Sequence, residues 1–590
     1  MVFTAGSLFL AVSLHRVQVE CCSALSHDQI RQSVRRVQVP GPRGIIFDRN
    51  EELLAGNRAS YCIAYYVEEL RKRGRWQNTI DAVNADIDRL ATVLGIPRVI
   101  SKKAVADHVM KSLPMPLLAW RDVEPETLAR WAEAVEPFPG VDIYVQPERH
   151  YPNGALAAHV LGYVGRDRPQ PLPGQKIHFY LPEMIGKGGV EGRYNAVLTG
   201  MSGGQLIRVD ARGYKHAVWK GEDAVPGRNV HLTLDVKIQA ALEKVLRGWR
   251  GAGVVIDPRN GEVLALASSP SYDPNDFVPV MPTRVWKRLN EDEGIPLFNR
   301  AIQGWSAPGS TFKPVTAMAA LLSDKFDPAQ EYVCDGAFVL GTMRLRCWNT
   351  YGHGSINLRK AIEQSCNSYF CNLAHTIGYD PIYAVAKSLG LGQPTGIDLP
   401  GESGGLLPTA EWKEQRMRDR WRPGDTCQIA IGQGLLITTP LQMAVVTSVF
   451  ANRGRLYRPH LVRQDQAPLE REMGWPPQAV AAVRDGMYDV AKLGTGRRVR
   501  VRGLEVAAKT GTAEIDMAGV RRKNTWVTAF APFDNPTVAI TIMVENGESG
   551  GLTVAPMVHE VLVAIFGEAP VGDNDPGAER FSVDVEVRGD

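Results

Sequence analysis

The sequence has no apolar run long enough to cross a bilayer, no basic stripe, no internal repeat and little cysteine, with eight in 590 residues. Each absence narrows what the chain can be. A membrane-spanning helix needs about 20 apolar residues, and the apolar start ends at Leu14, ahead of His15 and Arg16. No small-residue cleavage site follows it, which argues against a removable leader. A formal net charge of +3, with 22% charged residues, leaves no electrostatic footprint for nucleic acid, and none is expected as a partner. A hydrophobic content of 44% excludes a wholly disordered chain.

What is present divides the chain. Its length predicts two or three domains. Residues 1–17 read as the end of a membrane anchor whose start lies upstream; a buried helix of the first domain is the alternative. Cys21 and Cys22 beside it are free thiols or acylation sites. Residues 35–225 alternate short apolar runs with Pro and Gly, as a loop-rich mixed domain without a catalytic pattern. Within it Val83, Ile87, Leu90 and Leu94 predict one amphipathic helix. A boundary falls in "EDAVPGRNVHLTLD", and residues 226–567 form the second domain. There Ile238 to Trp249 mark a helix face with Asp235 as N-cap, and Asn260-Gly261 marks a hairpin. "LEVAAKTGTAEI" and "TWVTAFAPFDNPTVAITIMVEN" give further strands before an apolar helix at 555–566. The expected architecture is α+β, an antiparallel sheet between helices. The acidic tail, 568–590, is expected to be disordered.

"WSAPGSTFKPVTAMAALL" has the spacing of an activated serine. A helix starting near Ser310 puts Lys313 one turn on and on the same face. Pro314 supports that start, because a residue without an amide proton is tolerated in a first turn. Ser-x-x-Lys alone is a weak signal. Ser365-Cys366-Asn367 and Lys509-Thr510-Gly511-Thr512 follow it, the latter on an expected strand. Together they resemble the three-part set of the penicilloyl-serine transferases.

Segments such as "GPRGIIFDRNEELLAGN", "IGKGGVEGRYNAVLTG", "NRAIQGWSAPGSTFKP" and "GQGLLITTPLQMAVVTSVFANRG" extend the resemblance over most of the chain, to the class B high-molecular-weight penicillin-binding proteins. The resemblance implies an elongated pedestal and a β-lactamase-like transpeptidase domain outside the cytoplasmic membrane, anchored by a single pass. It implies a D,D-transpeptidase that crosslinks peptidoglycan stem peptides and is acylated by β-lactams, without a cofactor for that chemistry. Ser310 would be the nucleophile, Lys313 the base, Ser365 the proton relay, Asn367 the group orienting Lys313, and Lys509 the source of positive field. Thr510 and Thr512 would bind the terminal carboxylate, and Gly511 would let substrate lie along the strand edge. The backbone amides of Ser310 and Thr512 would hold the oxyanion.

Cys334, Cys347, His353 and Cys366 offer three thiolates and an imidazole, a donor set suited to a closed structural zinc site, although not at finger spacing. The elongation-specific penicillin-binding protein 2 branch looks similar here, with Asp335 as a possible substitute for Cys334. A Cys334–Cys347 disulfide, a merely buried Cys366 and a satisfied loop histidine are the competing readings. In a turn or extended link, alternation would put Ser365 and Asn367 on one side and Cys366 on the other. The same resemblance implies partners in the elongation complex, among them a polymerase of the shape, elongation, division and sporulation family. A division-specific transpeptidase, a penicillin sensor or β-lactamase, and an inactive scaffold are the rival functions.

Overall fold

The computed structural model describes residues 2–16, 34–39, 41–113, 115–134, 140–167, 179–180, 183–209, 215–219, 222–517 and 520–569. Cys21, Cys22 and the tail from residue 570 lie outside the described residues. The chain forms two compact units: Met1–Leu232 with Ser271–Leu297 and Asp398–Pro400, and Thr233–Pro270 with Phe298–Ile397 and Gly401–Asp590.

The first unit begins with helix α1 (Val2–His15), on which Phe9, Leu10, Val12 and Leu14 are exposed. Among the described residues no helix is long and apolar enough to cross a membrane. Strands β1 (Ile46–Phe47), β2 (Leu53–Tyr65), β3 (Leu117–Trp120), β4 (Val141–His150) and β5 (Val230–His231) form a sheet in the order β5-β1-β2-β3, with β4 also paired to β2. Helix α2 (Trp76–Leu94) buries Ile80, Val83, Ile87, Leu90 and Leu94 at the expected spacing, in one core with Ile63, Tyr65 and Trp120. It stops at Gly95, whose φ of 66° is the left-handed conformation a helix terminator needs.

A charged knot lies deeper in this unit. Glu191, on the short helix α3 (Gly189–Arg193), receives Arg43 Nη2 at 2.7 Å and Arg149 Nε at 2.5 Å, and all three side chains are at most 5% exposed. Arg43 also donates to Met184 O, Asn195 Oδ1 and Thr199 Oγ1, and Arg149 to Gly44 O.

The second unit has three layers. Strands β6 (Gly251–Ile256), β7 (Val263–Ser269), β12 (Ala507–Met517), β13 (Val520–Ala531) and β14 (Val538–Glu545) form a fully antiparallel sheet in the order β7-β6-β14-β13-β12. Asn260-Gly261 makes the turn between β6 and β7, with Gly261 at a φ of 86°. Helices α4 (Val236–Leu246) and α9 (Ala555–Phe566) share a core with the sheet. Asp235 caps α4 by accepting from the amides of Lys237 and Ile238; Trp249 lies beyond its last turn. Helix α8 (Pro440–Ala451) packs against β6, β13 and β14 and is buried on every side, in keeping with its mostly apolar sequence. The expected α+β sandwich is what forms. Between β7 and α8 lie α5 (Lys313–Leu321), β8 (Tyr332–Cys334), β9 (Ala337–Leu340), β10 (Met343–Arg346), β11 (Gly354–Ile356), α6 (Leu358–Glu363) and α7 (Asn367–Ile377). The edge strand β12 carries Lys509 to Thr512.

Candidate active site

Ser310 lies in a 3₁₀ turn, Gly309–Phe312, which runs into α5 at Lys313 with Pro314 in the first turn. In 3₁₀ geometry residues i and i+3 eclipse, so Ser310 and Lys313 share a face more closely than the expected α-turn would place them. The half-buried Ser310 hydroxyl has no hydrogen-bond partner among the described residues. Gly309, at a φ of 55°, is forced by proximity: a Cβ there would lie 2.8 Å from Thr512 O and 3.1 Å from Thr512 N. The backbone of the edge strand thus passes directly beside the residue before Ser310. The "GQG" segment buttresses both, since Gly432 O accepts from Gly309 N at 2.8 Å and Gln433 Nε2 donates to Thr512 O at 3.3 Å.

Lys313 is fully buried, and its amine donates to Ser365 O at 2.7 Å, Asn367 Oδ1 at 2.8 Å and Ser365 Oγ at 3.3 Å. Lys509, equally buried, donates to the same Ser365 Oγ at 2.9 Å. No carboxylate pairs with either amine among the described residues. Desolvation therefore lowers Lys313 to about 8, against the pull of Cys366, Cys347 and Cys371. Desolvation, then the Lys313 charge, pushes Lys509 well below the ordinary lysine range. Two buried amines joined by one hydroxyl cannot cheaply both hold a full proton complement, and the arrangement is a ready path for one proton.

Ser365 and Asn367 meet at Lys313, but strand alternation is not the reason. Ser365 sits at a φ of 53°, and Cys366 is the N-cap of α7, its sulfur accepting from Tyr369 N at 3.4 Å. A left-handed serine costs about 1 kcal/mol, and here it turns the Ser365 carbonyl and hydroxyl together toward the lysine. Gly511 also has a packing role. A Cβ there would meet Pro308 O at 2.8 Å and Thr311 Cγ2 at 3.0 Å, so the glycine lets β12 close on the loop that carries Ser310. Thr510 is turned to Thr495, Oγ1 to Oγ1 at 2.6 Å.

Cys334, Cys347, His353 and Cys366 bring their ligand atoms within 4.8 Å of one another. The separations are 3.5 Å for Cys334 Sγ to His353 Nδ1, 3.6 Å for Cys347 Sγ to the same nitrogen, and 3.9 Å between the sulfurs of Cys347 and Cys366. A tetrahedron with Zn–S and Zn–N bonds of ordinary length has edges of about 3.6 Å (S to N) and about 3.8 Å (S to S), so the four residues fit the metal. Cys334 is buried in the cluster, Asp335 beside it is exposed, and every described cysteine is a free thiol. The Cys347–Cys366 hydrogen bond holds Cys347 well below the usual thiol range and pushes Cys366 up. Gly352, at a φ of 85°, makes the close turn, since its Cβ would lie 2.2 Å from Cys334 O.

This lobe is tied to the Ser365 loop at three points. Cys366 belongs to both, Trp348 Nε1 donates to Gln364 O at 2.8 Å, and Asn367 Nδ2 donates to Arg346 O at 3.2 Å. Sequence reasoning named the four ligand candidates but missed Trp348, Arg346, Gln433 and Thr495. Their neighbours Cys347, Gly432 and the Gly494–Gly496 turn were the available signal; the contacts themselves join residues far apart in the chain.

The penicillin-binding protein transpeptidase domain family matches residues 251–563, and the penicillin-binding protein dimerisation domain family matches residues 38–232. The peptidoglycan D,D-transpeptidase MrdA of Haemophilus influenzae is 32% identical over 589 residues, covering 94% of this chain and 88% of that protein. The solved complex between penicillin-binding protein PBP2 and MreC from Helicobacter pylori is similar with 30% identity and a TM-score of 0.77, over 90% of this chain and 98% of that one. A structure of a peptidoglycan synthase complex that coordinates polymerization and crosslinking is similar with 28% identity and a TM-score of 0.73, over 97% and 98%. With both domain families matched in order and relatives aligned along nearly its whole length, the chain belongs to the class B penicillin-binding proteins, among relatives named MrdA or PBP2.

Proposed function

We propose that the chain is a serine-type peptidoglycan D,D-transpeptidase of cell elongation, and that Ser310 is its nucleophile. The observation that carries the residue roles is the Lys313–Ser365–Lys509 chain beside an unpartnered Ser310. Lys313, as a neutral amine, takes the Ser310 proton while Oγ attacks the penultimate D-alanine carbonyl of a stem peptide. Charge builds on the carbonyl oxygen, facing the amides of Ser310 and Thr512. The peptide C–N bond breaks, the departing D-alanine amine takes a proton through Ser365, and an ester on Ser310 is left. An acceptor amine attacks that ester, gives up its proton by the same path, and releases Ser310 as the crosslink forms. Asn367 holds Lys313, Lys509 supplies positive field at Ser365, and Thr512 with the Thr510–Thr495 pair receives the terminal carboxylate. A β-lactam follows the first half of this course and stays on the serine.

Fluorescent penicillin tests the reading. Stoichiometric labelling of the full chain is expected, lost in Ser310→Ala. An unlabelled wild type would leave the scaffold reading, and fast steady-state hydrolysis of a chromogenic cephalosporin the lactamase reading. The name shared by the relatives favours elongation over division, so depletion should round cells rather than make filaments.

The fit of Cys334, Cys347, His353 and Cys366 to a tetrahedron supports structural zinc, which would pin the Ser365 loop and take no part in the acyl transfer. Metal analysis of protein purified without chelator should find stoichiometric zinc. Cys366→Ser should lose most of it, melt lower and acylate about tenfold more slowly, from the loosened loop. Zinc, melting and acylation all unchanged in that variant would remove the joint between the two sites. The same proposal has α1 at the membrane, supported by its exposed apolar residues, with the catalytic unit on the extracytoplasmic side. Partners of the MreC and polymerase kinds are supported by the complexes the relatives form.

A further inference from the structure

We propose that Arg346, assisted by Arg344, binds a second carboxylate of the stem peptide, one on the N-terminal side of the bond that is cut. The inference rests on the acyl-transfer reading above. Strands β9 and β10 form a hairpin in which Ala337 faces Arg346 and Val339 faces Arg344. Alternation puts both arginines on one face of β10, and both are exposed while Met343 and Leu345 are half-buried. Among the described residues neither guanidinium has a hydrogen-bond, ion-pair or ring partner. Arg259, Arg359, Arg422 and Arg455, also exposed in this unit, each have a carboxylate partner.

Position makes the unpaired fork meaningful. The Arg346 carbonyl accepts from Asn367 Nδ2 at 3.2 Å, so the side chain leaves the backbone beside the group that holds Lys313. The strand end is rigid, because Cys347 N donates to Gly336 O at 2.9 Å and Cys347 Sγ lies in the four-residue cluster. A preorganised guanidinium loses little freedom on binding and matches a carboxylate with two parallel hydrogen bonds. The reacting cluster has two buried amines and no paired carboxylate of its own, so no carboxylate within it quenches the arginines. The terminal carboxylate is taken up at Thr510 and Thr512, on the β12 side; the arginines stand on the Asn367 side. Stem peptides present two further carboxylates there: the free α-carboxylate of a side-chain-linked glutamyl residue, and the second carboxylate of a diamino dicarboxylic acid.

The test is protection of full-length protein from fluorescent penicillin by synthetic pentapeptides ending in D-Ala-D-Ala. One carries both carboxylates and two others are amidated at one or the other. In Arg346→Gln the half-protecting concentration of the diacid should rise about tenfold, the usual scale for losing a charge-assisted bidentate contact. Arg344→Gln should give a smaller rise and the exposed Arg416→Gln none, with penicillin acylation without peptide measured in each variant so that protection is read relative to it. The peptide whose protection is indifferent to Arg346→Gln identifies the carboxylate by its amide. A change below twofold for the diacid in the Arg344→Gln/Arg346→Gln double variant would overturn the inference, as would equal losses for all three peptides, which would mean a displaced Asn367. Failure of wild type to label at all would instead remove the acyl-transfer reading, and this inference with it.

Discussion

Lys313→Met is expected to slow penicillin acylation by about a hundred- to ten-thousandfold, the range for loss of a positioned general base, in a protein that still folds. Methionine fills nearly the same buried volume, so the loss is of the amine rather than of packing. Three acceptors lose a donor: Ser365 O, Asn367 Oδ1 and Ser365 Oγ, of which only the last retains another, Lys509. Unmet buried acceptors cost about 1–3 kcal/mol each, so a lower melting temperature is expected beside the kinetic loss. Stopped-flow acylation and a melting curve separate the two. The wild-type profile supplies the sign. Burial holds Lys313 at about 8, and the base acts as the neutral amine. Acylation should therefore rise about tenfold per pH unit below that value and level off above it. Desolvation is what pushes the profile acid, and the thiols of Cys366, Cys347 and Cys371 pull it back. A flat profile between pH 6 and pH 9 in the wild type, or a methionine variant acylated within tenfold of it, would remove Lys313 as the base.

Glu191→Ala should be the most destabilising single change in the first unit. One carboxylate pairs with two guanidiniums, Arg43 and Arg149, and none of the three side chains exceeds 5% exposure. Deleting it strands two buried charges, whereas the wild-type knot leaves only Arg149 Nη2 without a partner. Breaking a buried pair by removing one partner costs about 3–5 kcal/mol. At roughly 2–4 °C per kcal/mol for a unit of this size, its calorimetric transition should fall by about 10 °C. Glu191→Gln retains the shape and some hydrogen bonds and should fall less. Tyr151, whose hydroxyl donates to the same carboxylate at 3.3 Å, loses its acceptor as well. A transition within 2 °C of wild type in the alanine variant would mean that neighbouring carbonyls, Met184 O and Gly44 O, suffice to hold both arginines.

These two sites differ in how visible they are along the chain. Lys313 follows Ser310 by one turn and is tied to it by local helical geometry, so a short pattern points to it once the other two motifs accompany it. Glu191 is 148 residues from Arg43 and 42 from Arg149, and a glutamate in "GGVEGRYN" looks like any solvated acid until the fold closes around it. The same contrast holds within the catalytic unit. The strand at 507–517, the hairpin at Asn260-Gly261 and the helix face from Ile238 to Leu246 were legible because alternation, turn residues and helical period are short-range signals. The edge position of β12 was not, since sheet order depends on long-range pairing such as that of Gly251 with Val544.

By itself the sequence named the candidate reacting residues, Ser310, Lys313, Ser365, Asn367 and Lys509, and the candidate donor set Cys334, Cys347, His353 and Cys366. Side-chain chemistry and spacing suggest both, and the family resemblance assigns the roles. Only the tertiary structure decided how these act on one another. It joined Lys313 and Lys509 through one hydroxyl, and set Ser365 in a left-handed turn rather than an alternating link. It made Gly511 a packing glycine, selected Cys334 over Asp335, and left Arg346 unpaired beside Asn367. The reason is common to all of them: a pKa, a close backbone approach or an uncompensated charge depends on what surrounds a residue in space. Those surroundings are assembled from segments that chain order keeps far apart.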